Sequence, residues 1–179
     1  MLYKLPITII FISFLFSSEI LNKAEIVINE SIPNNKSISH KLIKLDFDIS
    51  DAQNLVKQKF FRKELHVWKI QENDSTFYYG VLDNVIGKTM PITFLTIFDK
   101  DHRVNTVEII KYREDPYGSE VKNKNWCNQF KGYSDTSDYN IGRGIDGISG
   151  ATLSVHSVTK GINKLSLIIR DIISKFNHE

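Results

Sequence analysis

Between Leu153 and Phe176 the apolar residues Val155, Val158, Ile162, Leu165, Ile169, Ile172 and Phe176 fall alternately three and four apart. That spacing draws one continuous stripe along a helix, so the segment predicts a long helix with a single apolar face to bury. The strongest β-former upstream is Ile92 to Phe98, ITFLTIF, which is β-branched and aromatic throughout. It predicts a central strand covered on both faces. A polar turn, Asp99 to His102, leads into the alternating run Arg103 to Tyr112, so a hairpin is expected from Ile92 to Tyr112. A long helix on an antiparallel sheet, with one or two shorter helices, is an α+β architecture.

The remaining elements are read in the same way. Ser50 with Gln53 three residues on has the pattern of a capping box, predicting a helix of about a dozen residues with Ala52, Leu55, Val56, Lys59 and Phe60 inward. Strands are expected at Leu65 to Gln71 and Thr76 to Leu82, with Asp83-Asn84 turning the chain. Arg113 to Ser119 reads as an irregular loop. Glu120 to Phe130 predicts a short helix with Val121, Trp126 and Phe130 inward. Gly132 to Gly144 is polar and turn-rich.

Leu5 to Phe16 is an uninterrupted apolar run of twelve, preceded by Lys4. As a helix it would be roughly 18 Å long against a hydrocarbon core of about 30 Å. It fits the apolar region of an export signal, either cleaved, with Ala24 as one candidate last residue, or kept as an anchor. The expected organisation is a signal segment over 1–24, a linker or extension over 25–45 with a turn at Pro33 to Lys36, and one domain over 46–179. The expected location is extracytoplasmic.

Composition limits the function classes. The chain of 179 residues carries 23 basic and 21 acidic residues, a net charge of +2, too balanced to argue for nucleic acid. Cys127 is the single cysteine, which leaves no internal disulfide or cysteine-rich metal site and reads as a small core residue. The histidines are scattered without metal-ligand spacing, so no metal is expected, and no acid–base set marks a catalytic centre.

The chemistry-bearing segment is Asp146-Gly147-Ile148-Ser149-Gly150-Ala151-Thr152, where the long helix begins. Gly144, Gly147 and Gly150 allow tight turns and close approach. The hydroxyls of Ser149, Thr152 and Ser154 sit where free N–H groups and the positive end of the helix dipole favour a phosphate. On these residues alone, a serine or threonine cap after a glycine turn is the favoured reading of the segment.

The segment resembles the signature of the FMN-binding domain family, whose members include the covalently flavinylated subunits of the sodium-pumping quinone reductase and of the Rnf complex. That signature is an aspartate, a small residue, any residue, then Ser/Thr-Gly-Ala-Thr/Ser before a helix, and Asp146 to Thr152 matches it at every position. Gly87-Lys88 before Ile92 to Phe94, Arg113-Glu114 with Tyr117-Gly118, and Trp126 with Gln129 to Gly132 resemble further family segments. The resemblance implies FMN joined by a phosphoester to Thr152, made by a dedicated flavin transferase. Asp146, Gly147, Ser149, Gly150 and Ala151 would shape the loop or be read by that enzyme. Gln129 and Gly132 are further candidates to face the cofactor. Tyr78, Tyr79, Tyr117, Trp126 and Tyr133 could stack on its ring, although aromatic residues at strand spacing more often pack in the core. The implied role is electron transfer between a membrane donor and an exported acceptor. The alternatives are a flavin-dependent reductase acting on a small exported substrate, or a cofactor-free module of the same fold.

Overall fold

The computed structural model describes residues 7–114 and 116–179. Five antiparallel strands form one sheet in sequence order: β1 (Ser37–Lys44), β2 (Glu64–Gln71), β3 (Phe77–Ile86), β4 (Pro91–Phe98) and β5 (Val104–Lys111). Helix α4 (Thr152–His178) covers one face and helix α1 (Ile7–Ser31) packs on the other. Two short helices, α2 (Ser50–Val56) and α3 (Lys124–Cys127), complete the α+β architecture.

All seven residues of the predicted stripe are buried against the sheet. They meet Val67, Val81, Val85, Phe94 and Phe98, which share that face because alternate residues of a strand point the same way. Each large apolar side chain so buried contributes about 1.5–3 kcal/mol. The closest approach is at Gly161, where a Cβ would come within 2.7 Å of Val85 and 2.8 Å of Phe94. Strand β4 is buried at every residue from Ile92 to Phe98, as its composition predicts.

Helix α1 supplies the second layer. Ala24, Ile28 and Ile32 pack on Trp68, Ile70, Leu82, Leu95, Ile97 and Ile110. Residues 25–45, expected as a linker, therefore hold the end of α1, a turn at Pro33-Asn34 and strand β1. The first residues of the apolar run, Leu5 and Pro6, lie outside the described residues. Among the described residues no helix is long and apolar enough to cross a membrane.

Three local expectations are corrected. Helix α2 is seven residues long, not about twelve. Asp48 takes both the N–H and the hydroxyl of Ser50, at 2.9 and 2.6 Å, so the expected capping box does not form. Lys57 then adopts a left-handed conformation (φ 53°) that ends the helix, and Leu55 is exposed. Strict alternation over Arg103 to Tyr112 puts Val104 on one face with Thr106, Glu108 and Ile110, but a register shift between Ile97 and Phe98 moves Val104 onto the α4 face with Val107 and Ile109. Asp83 and Asn84 do not turn the chain, because β3 runs through them to Ile86.

Asp83 instead meets Lys164 of α4, Nζ to Oδ2 at 3.3 Å, with both side chains sealed from solvent. Lys164 Nζ also donates to the Lys59 carbonyl at 3.1 Å and lies 3.9 Å from the centre of the Phe60 ring. Burial pushes the Asp83 carboxyl up and the Lys164 ammonium down, and each partner opposes the other's shift. Removing one partner strands a buried charge. Lys164→Met is expected to destabilise the fold by about 3–5 kcal/mol, while Asp83→Leu combined with Lys164→Met returns most of that loss, as read by urea unfolding.

Candidate functional site

The DGISGAT loop is held from below by α3. Trp126 Nε1 donates to the Asp146 carbonyl at 2.9 Å, and Asp146 N–H donates to Gln129 Oε1 at 2.9 Å. Trp126 is itself fixed by an edge-on contact with Phe130, ring centres 5.2 Å apart. Gly150 then takes a positive φ of 82°, a conformation that glycine adopts without strain. Ala151 is buried, pinning the chain to the core immediately before α4 begins. The loop is thus anchored at its base, while Asp146, Ser149 and Thr152 all face solvent.

Thr152 is the first residue of α4, and no side chain caps that helix end. Its hydroxyl has no hydrogen-bond partner among the described residues, and it opens onto a cavity of about 450 Å³. Lys88, Tyr112, Glu114, Gly118 and Ser154 share the lining. The first N–H groups of a helix lack intrahelical acceptors and carry the positive end of its dipole. With the Lys88 ammonium on the same cavity, the donor set fits the phosphate of a cofactor such as FMN, and the hydroxyl is free to be esterified.

The wall opposite Thr152 is built by two polar contacts. Tyr112 and Ser154 hydroxyls hydrogen-bond at 3.1 Å, and a Cβ on Gly118 would overlap Tyr112 Oη. Glu114 accepts the N–H groups of Thr89 and Met90 at 2.6 and 2.7 Å, tying the β3–β4 turn to the cavity. Partial burial raises the Glu114 carboxyl, but these amides and the Thr89 hydroxyl outweigh it and hold it below its usual range. Its hold on the turn is therefore present above the ordinary carboxylate pKa and is lost as pH falls through the lowered one.

The structure separates the other expected residues. Gln129 serves the loop as an acceptor for Asp146 and does not line the Thr152 cavity. Gly132 donates to the Val104 carbonyl at 2.7 Å, so it lies at the start of β5, whereas Tyr112 beside Thr152 follows that strand's end. Among the aromatic candidates, Tyr79 packs edge-on against Phe176, and Tyr133 donates to the Gly144 carbonyl at 2.7 Å. Tyr78 lies with the α1-face cluster, and the Tyr117 side chain lies outside the described residues. Tyr112 and Ser154 were not among the expected cavity residues. Ser154 stood in the hydroxyl group noted at the helix start, but nothing in the sequence pairs it with Tyr112.

Replacing Glu114 by Ala is expected to speed hydrogen exchange at the Thr89 and Met90 amides about tenfold or more, since charge-assisted bonds contribute about 1.5–3 kcal/mol. Two-dimensional NMR of the variant checks this, with the amides of β4 unchanged.

No curated protein matches the chain. Residues 87–166, from the β3–β4 turn into α4, match the family model described as the FMN-binding domain, which spans Lys88, Tyr112, Glu114, the DGISGAT loop and Thr152. Through that region the chain is similar to the FMN-binding domain family.

Proposed function

We propose that the protein is an exported electron carrier whose FMN is joined by a phosphoester to Thr152. The observation that carries this reading is the Thr152 hydroxyl. It is solvent-facing, without an internal partner, and placed at an uncapped helix start beside Lys88. A cofactor attached there is retained in a compartment where a freely dissociating one would be lost by dilution. Bound FMN supplies one- or two-electron chemistry, and the protein positions and tunes it.

This chain's residues have limited parts in the attachment. Thr152 Oγ1 forms the bond to the FMN phosphorus as the hydroxyl proton leaves. A flavin transferase breaks the pyrophosphate of FAD and releases AMP, so the chain supplies no activating base of its own. Asp146 and Ser149, exposed on the rigid loop, are the side chains available for that enzyme to read. The helix N–H groups and Lys88 would then hold the phosphate oxygens. Coexpression with a transferase should give a band that fluoresces as flavin on a denaturing gel, and Thr152→Ala should give a dark band. A dark wild-type band beside an active transferase removes the covalent reading, and a fluorescent Thr152→Ala band moves the attachment elsewhere.

We further propose that the N-terminal segment is kept as an anchor. Ala24 and Ile28 are fully buried between α1 and the sheet, which supports an unbroken helix there rather than an end at Ala24. Intact-mass measurement of the membrane-extracted protein should return the full chain. A mass that begins at Glu25 contradicts the anchor.

A further inference from the structure

Among the described residues, four of the seven exposed large apolar side chains, Phe61, Ile86, Met90 and Leu153, gather at one end of the sheet. Ile86 and Met90 flank the β3–β4 turn, and Leu153 lies with Lys88 on the Thr152 cavity. Phe61 precedes Arg62, which lines a second cavity of about 390 Å³ with Arg113, Thr93, Ile20 and Leu21. Arg113 ties the second cavity to the start of β4, donating to the Pro91 carbonyl at 3.1 Å and to Thr93 Oγ1 at 3.0 Å.

Exposed basic residues are interleaved with these apolar ones. Arg62, Lys63 and Lys88 have no carboxylate partner among the described residues. The acidic groups at this end are largely engaged elsewhere. Glu114 is held by turn amides, and Glu19 pairs with Lys111 at 3.3 Å. Glu64, on the Arg62 cavity, is the exception. Helix α1 also enters the domain here. Glu19 meets Lys111 at the end of β5, and Ile20 and Leu21 line the Arg62 cavity. Ile28 lies farther along, against Gly80, and the turn after Ile32 joins Gln71 at the opposite end. The apolar run Leu5 to Phe16 therefore precedes the point where α1 meets the exposed apolar and basic residues.

We propose that this end of the domain rests on an anionic lipid bilayer, with Phe61, Ile86, Met90 and Leu153 entering the interface and Arg62 and Lys63 meeting lipid phosphates. Apolar side chains ringed by lysine and arginine favour such an interface, where the stems lie in the apolar layer and the charges reach the headgroups. The Thr152 cavity then opens at the membrane surface, within reach of a lipid-soluble electron donor. The proposal rests on the reading of Leu5 to Phe16 as a membrane anchor.

The test uses the full chain in vesicles of phosphatidylcholine with phosphatidylglycerol, carrying an environment-sensitive fluorophore on Met90→Cys. Cys127 does not compete for the label, because it is buried and its thiol is pushed up to about 12 by that burial. Asp74→Cys, in the β2–β3 turn at the opposite end, is the reference position. Nitroxide lipids should quench the probe at 90 severalfold more than the probe at 74. Joint Arg62→Gln and Lys63→Gln substitution should reduce that difference by at least half. If the vesicle-bound chain shows equal quenching at both sites, with position 90 open to aqueous iodide, the end faces water or another protein and the proposal is overturned. A chain that alkaline washing strips from the vesicles overturns the anchor reading, and the docking proposal with it.

Discussion

Lys164 and Asp83 form the one charge pair, among the described residues, that is sealed from solvent on both sides, and the placement of α4 depends on it. An apolar stripe tells a helix which face to bury but tolerates sliding along a sheet. A buried lysine that must meet one aspartate on β3 and one carbonyl at Lys59 does not. Three residues away, Gly161 lets the helix backbone come close to Val85 and Phe94, which larger residues would prevent. Together these contacts define both the height and the rotation of α4. They also determine where its first turn lies, and hence where Thr152 stands.

The chemistry at that first turn needs little from the protein beyond position. Gly150 turns the chain, Ala151 buries it, and Thr152 emerges with its hydroxyl outward. The loop before it is braced by Trp126 and Gln129 through backbone groups of Asp146, leaving the Asp146 side chain exposed. A helix start and one lysine are a sufficient cradle for a phosphate. A ring system attached there would face a cavity lined by Tyr112 and Glu114, which follow the end of β5, with Glu114 tied to the β3–β4 turn.

Much of the fold was legible because its strongest signals are periodic. The α4 stripe, the continuous apolar β4 and the hairpin to β5 each follow from spacing, and each reflects burial that the structure displays. The failures share a different cause: a local pattern was outcompeted by a distant partner. Asp83-Asn84 has turn chemistry, but Lys164 lies 81 positions away in the chain and keeps Asp83 in a strand. Ser50 has cap chemistry, but Asp48 takes its hydroxyl. Residues after Phe16 are polar and no strand or helix is expected there from the sequence, yet Ala24, Ile28 and Ile32 recur at helical spacing and cover a sheet face that only the assembled fold creates. At the site, the motif pointed to Thr152 directly. Tyr112 and Ser154 came together only through tertiary packing, and Gly132, close to Gln129 in sequence, was carried to the other end of β5.

The claim at the centre of this account is that Thr152, and no neighbouring hydroxyl, bears the flavin. Trypsin should release Gly144 to Lys160 as one peptide, which contains Ser149, Thr152, Ser154, Ser157 and Thr159. Tandem mass spectrometry of that peptide, from protein matured with a flavin transferase, reads the position of the adduct residue by residue. The account predicts one FMN phosphoester on Thr152. An adduct localised to Ser149 or Ser154, or a peptide that remains unmodified beside an active transferase, would contradict it.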